Sequence, residues 1–203
     1  MPSRLAIVTF HDPPVPPGAT PWVDGTGPSP DVAVVPPDPG WPASFDLVAQ
    51  RVRRALGWRA LVVEHVGSTA VPGLPAKPII DVDLVVADPA DEAAYVPALE
   101  AAGFVLRVRE PWWFEHRLLR GGSPVSHVHV FGPDSPEVVR HRLFRDWLRG
   151  NPDERDRYAA AKLQAAAAAS AAGEHMMQYN ARKQRVLREI YARAFAAMGL
   201  VEG

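Results

Sequence analysis

The chain has 203 residues, no cysteine and a formal net charge of −1 from 22 basic and 23 acidic side chains. That length supports one full-sized core with room for a helical appendage, while the lack of thiols excludes disulfides, thiolate metal centres and cysteine nucleophiles. No apolar run approaches the roughly 20 residues that cross a bilayer, and no dense basic run marks a nucleic-acid surface.

In "MPSRLAIVTFHDPPVPPG" prolines stand where a secretory signal would place small cleavage-site residues, so a cytoplasmic protein with no membrane attachment is expected. Charge is uneven along the chain: six Lys and Arg against twelve Asp and Glu up to Gly103, sixteen against eleven from Phe104 onward. Such a division suits a site with a metal on one wall and anionic phosphates on the other, or simply two solvated faces. Oligomeric state is left open.

Residues 1 to about 40 are proline-rich and predict an extended or looped arm rather than a helix. Trp22 and Trp41 favour its partial docking. "ASFDLVAQRVRRALG" then repeats apolar residues at helical spacing, with Ser44 as expected N-cap and Gly57 as stop. "RALVVEHVG" and "KPIIDVDLVVAD" read as strands, and "PADEAAYVPALEAAG" as a helix that Pro97 kinks or divides. "FVLRVRE", "WWFEHRLLR" and "VSHVHVFG" are the remaining strands, with Gly121-Gly122 turning between the last two.

From Pro136 the chain is helical. "PEVVRHRLFRDWLRGNP" puts Leu143, Phe144, Trp147 and Leu148 on one face and Arg142, Arg145, Asp146 and Arg149 on another. Pro152 opens the next helix, which runs through an alanine tract to Gly173. A last long helix follows. The expected architecture is α+β, a small mixed sheet flanked by helices with a helical C-terminal part. Its expected division is an arm over 1–31, a core over 32–135 and C-terminal helices over 136–203.

The chemistry concentrates in "EHVGSTAVPGLPAKPIIDVDLVV". Strand residues two apart share a face, so Asp81 and Asp83 present their carboxylates together while Val82 faces the core. Two such charges repel unless a cation sits between them. A hard divalent ion, Mg²⁺ first, suits the pair together with phosphate oxygens. Gly67 and Ser68, on the turn after the preceding strand, would offer backbone N–H groups and a hydroxyl to those phosphates. A solvated strand end would explain the aspartates alone; the turn upstream adds weight to the site.

"VAVVPPDPGWPASFDLVAQRVRRALG", "VEHVGSTAVPGLPAKPIIDVDLVV", "HVHVF" and "LFRDWLRGNPDERDRYAAAKLQ", in that order and spacing, resemble the GrpB family over roughly residues 32 to 195. That family is assigned to the polymerase-beta-like nucleotidyltransferase superfamily and also occurs fused to dephospho-coenzyme A kinase. The resemblance implies a phosphate-holding turn at Gly67 and Ser68, and metal-binding acids at Asp81 and Asp83. Active members of the superfamily carry a third acid on a later strand. Here "SHVHVF" matches that strand, and histidines stand instead of the acid.

His127 and His129 share a face; beside the aspartates they would make a mixed N/O site that takes Mn²⁺ or Zn²⁺ better than Mg²⁺. Alternatively one of them, His129, serves as a general base. Glu115 is the other candidate for the third acid. Lys77, Arg145, Lys162 and Lys183 are the expected phosphate ligands, and His65 is expected to bond the loop. The reading is a metal-dependent transferase that moves a nucleotidyl group from an NTP to a small-molecule acceptor, or activates that acceptor for ligation. Its alternative is a catalytically reduced nucleotide- or coenzyme A-binding regulatory module.

Overall fold

A computed structural model describes residues 1–23, 25, 27–30 and 32–201. Five strands form one open sheet: β1 (Val62–Val66), β2 (Ile80–Val85), β3 (Phe104–Glu110), β4 (His116–Gly121) and β5 (Ser126–Phe131), in spatial order β1-β2-β5-β4-β3. Only the β2–β5 pair is parallel. The helices are α1 (Arg4–Val8), α2 (Trp41–Leu56), α3 (Val96–Ala101), α4 (Pro136–Gly150), α5 (Pro152–Ala171) and α6 (Met176–Ala197). The mixed α+β architecture agrees with the expectation. Among the described residues no helix is long and apolar enough to cross a membrane.

The two faces of the sheet are used differently, and strand alternation explains how. Ile80, Val82 and Leu84 of β2, with Val128 and Val130 of β5, point to one side. There they pack against Val48, Val52 and Leu56 of α2 and Leu99 of α3 in the main core. Burying a side chain of this size stabilises by about 1.5–3 kcal/mol, so this face is the principal source of stability. The odd-numbered residues of the same strands, among them Asp81, Asp83, His127 and His129, therefore project to the opposite side.

That second side faces the C-terminal helices. Ala165, Ala166 and Ala169 of α5 lie against Tyr179 of α6, the small side chains letting the helices approach closely. Leu148, Tyr158 and Ile190 join Val71 and Leu74 beneath them.

Two details depart from the sequence reading, and one settles an alternative that it left open. Helix α2 starts at Trp41, with Gly40 preceding it and no side-chain cap, so Ser44 lies inside the helix. Pro97 opens α3 after a separate short turn at Glu92–Ala94, the divided form of the expected helix. The arm is not wholly extended: Arg4–Val8 is helical, capped by Ser3 accepting from the Ala6 N–H.

Candidate functional site

A cavity of about 920 Å³ lies between the second face of the sheet and α5 and α6. Gly67, Ser68, Lys77, Asp81, His127, His129, Lys162 and Lys183 all line it. Its size is that of small-molecule sites generally.

The parallel pairing of β2 with β5 sets Asp81 opposite His127 and Asp83 opposite His129. His127 Nδ1 and His129 Nε2 each stand 3.7 Å from Asp81 Oδ1. One ligand atom from each of the three residues lies within 4.8 Å of the others. Donors at about 2.0–2.2 Å from a common ion are roughly 3.0–3.5 Å apart, so a small contraction closes the group on a cation. Burial pushes the Asp81 carboxyl up, but the facing His129, with His127 and Lys77, outweighs this and brings its pKa to about 2. Burial lowers His127 to about 4, leaving it the neutral imidazole that metal binding needs.

Behind His129 stands a hydrogen-bonded chain that sequence reading missed. His116 Nδ1 donates to Glu110 Oε2 at 2.7 Å, and His116 Nε2 lies 3.1 Å from His129 Nδ1. Burial holds His116 neutral, with a pKa of about 4. Its Nε2 must then accept from His129 Nδ1–H, which leaves His129 Nε2 as the nitrogen turned toward Asp81. Such carboxylate–imidazole partners fix the tautomer of a ligating histidine. Glu110→Gln is therefore expected to weaken Mn²⁺ or Zn²⁺ binding by about 10- to 100-fold. Calorimetric titration of the metal checks this, and unchanged affinity would deny the chain its orienting role.

Asp83 is not part of this group. Its carboxylate, 0% exposed, accepts from His141 Nδ1 of α4 at 3.0 Å to each oxygen. Burial opposes a charge on His141, yet Asp83, helped by Glu137, raises its pKa to about 9. The expected metal pair is thus divided: Asp81 faces the cavity, and Asp83 is neutralised by an imidazolium.

Gly67 has φ +68° and packs directly on Asp81, where a Cβ would collide with the carboxylate. The glycine is needed for this close approach as well as for the turn. Ser68 follows on the cavity wall and begins a short 3-10 turn. His65 bonds the loop as expected: Thr69 Oγ1 donates to the Ile79 carbonyl and stands 3.0 Å from His65 Nε2.

Across the cavity the cations are held by tyrosines. Lys162 lies 5.1 Å from the centre of the Tyr158 ring, and Lys183 and Lys77 lie 5.3 and 5.7 Å from that of Tyr179. Lys183 Nζ also donates to Tyr158 Oη at 3.3 Å, and Lys162 to the Pro75 carbonyl. Burial lowers Lys162 to about 7, with Lys183 adding repulsion, and lowers Lys183 to about 8 against the pull of Asp81. An anion entering among them would restore their charge.

Two further expectations are corrected. Arg145 lines not this cavity but a smaller one of about 220 Å³ that shares Gly67, Ser68, His141 and Tyr158 with it, and its guanidinium is committed to Asp146, to Glu64 and to the His65 carbonyl, which clamps α4 to β1. Glu115 stands in the turn before β4 with φ 51°, where it pairs with Arg117. The acid that lines the cavity besides Asp81 is Glu110.

The model of the family described as GrpB protein matches residues 31–193. A UPF0157 protein of Halalkalibacterium halodurans is 50% identical over 159 residues, 78% of this chain and 80% of that protein. A dephospho-CoA kinase of Mycolicibacterium paratuberculosis is 33% identical over 190 residues, 81% of this chain but only 46% of the kinase. The crystal structure of conserved protein GrpB from Enterococcus faecalis superposes with a TM-score of 0.66 at 30% identity, covering 80% of this chain and 99% of that one.

Proposed function

The chain belongs to the GrpB family, and we propose that it binds a nucleoside triphosphate through a divalent metal and transfers the nucleotidyl group to a small-molecule acceptor, as a nucleotidyltransferase-like protein. One observation carries the reading. A two-histidine, one-aspartate group, a glycine–serine turn and three lysines line a single cavity.

The donor set fits a divalent ion of intermediate hardness. Two neutral imidazoles and one carboxylate suit Mn²⁺ or Zn²⁺ better than Mg²⁺, which prefers oxygen. When bound, such an ion polarises a phosphoryl oxygen and offsets the charge developing on it. The protein's own groups do the rest. Gly67 and Ser68 present the turn to the phosphates, and Lys77, Lys162 and Lys183 hold the outer phosphates, placed for the pyrophosphate that would leave. His129, held at Nδ1 by His116, would present Nε2 to the ion.

A second reading is supported by the diversion of Asp83 to His141. With Asp81 as the only carboxylate of the metal-binding group, a catalytically reduced module that binds a nucleotide or a coenzyme A-like ligand would need nothing more.

Thermal melting with each of the four NTPs, with and without Mn²⁺ or Mg²⁺, tests both. A ligand present at a hundred times its dissociation constant stabilises the folded state by about 2.7 kcal/mol, so a rise of several degrees that requires the metal is expected. No rise with any pair would contradict both readings. Pyrophosphate release in the presence of small hydroxyl or amine acceptors separates transferase from module.

A further inference from the structure

The described residues before residue 31, where the family match begins, are fastened to the body at several points and form part of the cavity wall. Near its middle it extends the sheet: the Val23 N–H donates to the Arg107 carbonyl at 3.1 Å, and the Arg109 N–H to the Pro21 carbonyl at 2.8 Å. Farther on, the Ser29 carbonyl accepts from the Met176 N–H at the start of α6, at 3.0 Å. The strap thus bridges the β3 edge and the helical wall. Its beginning is tied down as well, because the buried Arg140 donates to the carbonyls of Ala6, Ile7 and Thr9. Pro21, Trp22, Pro28 and Ser29 line the cavity from this strap.

The register of the sheet says what Trp22 overlooks. Trp22 pairs with Val108, Val108 with Leu118, and Leu118 with His129. Trp22 is therefore three strand spacings, roughly 14 Å, from the histidine of the metal group. The floor between them is Val108 and Leu118, two apolar side chains on the cavity wall. The lysines and the metal group account for the anionic part of a ligand. An indole beside an apolar floor accounts for a flat, uncharged part.

We propose that the strap is a working wall of the site, in which Trp22 stacks on the heteroaromatic base of the nucleotide and so sets which ligand bodies are accepted. The proposal rests on the nucleotide reading above. It assigns a binding residue to a stretch of chain that the family match does not include.

Calorimetric titration of Mn²⁺-ATP and of Mn²⁺-tripolyphosphate into the wild type, Trp22→Ala, Trp22→Leu and Trp22→Phe tests it. Loss of one base–aromatic stack costs about ten-fold in affinity. Trp22→Ala and Trp22→Leu are expected to bind ATP about ten-fold more weakly with tripolyphosphate unchanged, and Trp22→Phe to recover most of the loss. Unchanged ATP binding, or an equal fall for both ligands in the apolar but non-aromatic Trp22→Leu, would overturn the stacking role. Wild-type protein that binds tripolyphosphate as tightly as ATP would overturn it too, while leaving the metal and phosphate site intact. Wild-type protein that binds neither would remove the nucleotide reading and this inference with it.

Discussion

Asp81→Ala is expected to lower Mn²⁺-dependent nucleotide affinity by more than about 100-fold with little loss of stability. Removing an outer partner of a metal ligand already costs about 10- to 100-fold, and Asp81 is the only carboxylate in the group. The fold should tolerate the change because the side chain is 31% exposed and lies on the cavity face of the sheet rather than in the apolar core. Its loss also removes the negative charge that now helps keep Lys183 protonated. Metal-independent anion binding should change far less, because relief of the repulsion between Asp81 and the anion offsets that loss. Titration of Mn²⁺-ATP against the variant, alongside its melting temperature, separates the two effects; an affinity within a few-fold of wild type would place the metal elsewhere.

His141→Ala is expected to give the largest loss of stability, about 3–5 kcal/mol, because it leaves the fully buried Asp83 carboxylate without its partner. In a domain of this size that corresponds to a fall in melting temperature of roughly 10 °C or more. The pH dependence gives an independent signature. The pKa of His141 rises from 6.5 to about 9 on folding, so its stabilisation is complete below pH 6.5 and is lost as pH rises through 9. At about 1.4 kcal/mol per unit, the shift amounts to about 3 kcal/mol. His65, His116 and His127 run the other way: each falls to about 4, so they subtract stability as pH drops below 6.5. Lys162 and Lys183, lowered to about 7 and 8, add stability as pH rises above those values and oppose the His141 loss, so its signature is the difference between wild type and variant. Chemical denaturation of both proteins at pH 7 and pH 9.5 checks this: the stability gap between wild type and His141→Ala should narrow at pH 9.5; a variant as stable as wild type at pH 7 would show that the pair contributes little.

These two expectations mark the boundary of what the sequence discloses. Period-two alternation was enough to put Asp81, Asp83, His127 and His129 on one face, and Val82 on the other. It could not show which aspartate the next helix would claim. His141 is separated from Asp83 by 58 positions, and its pairing depends on how α4 lies over β2 and β5.

Glu110 was hidden for a different reason. Simple alternation from Phe104 and Leu106 would turn Val108 and Glu110 into the core. A register shift between Leu106 and Val108 inserts one extra residue, so Glu110 falls opposite His116 and Val108 opposite Leu118 on the cavity face. Nothing in "FVLRVRE" marks that bulge, because such irregularities answer to pairing with the neighbouring strand. "WWFEHRLLR" has the composition of a continuous strand that would include Glu115, but β4 starts one residue later, at His116.

Arg145 illustrates the ambiguity of charge. A basic helix face reads alike whether it grips phosphate or clamps a neighbouring strand, and Glu64 decides the matter from 81 positions away. The lysines escaped that ambiguity in the structure because Tyr158 and Tyr179 hold them inside the cavity. The strap was legible as proline-rich and aromatic, but its partner surface was not, since the edge of β3 exists only after the sheet is assembled.

The central claim is that one divalent ion is held by Asp81, His127 and His129 while it touches the phosphates of a nucleotide. Pulsed electron paramagnetic resonance of Mn²⁺ bound to the protein with ATP reads both sides of that ion at once. Couplings to imidazole nitrogens and to phosphorus on the same Mn²⁺, with the nitrogen signal reduced in His127→Ala and His129→Ala, are the predicted result. Bound Mn²⁺ with phosphorus coupling but no imidazole nitrogen would contradict the account.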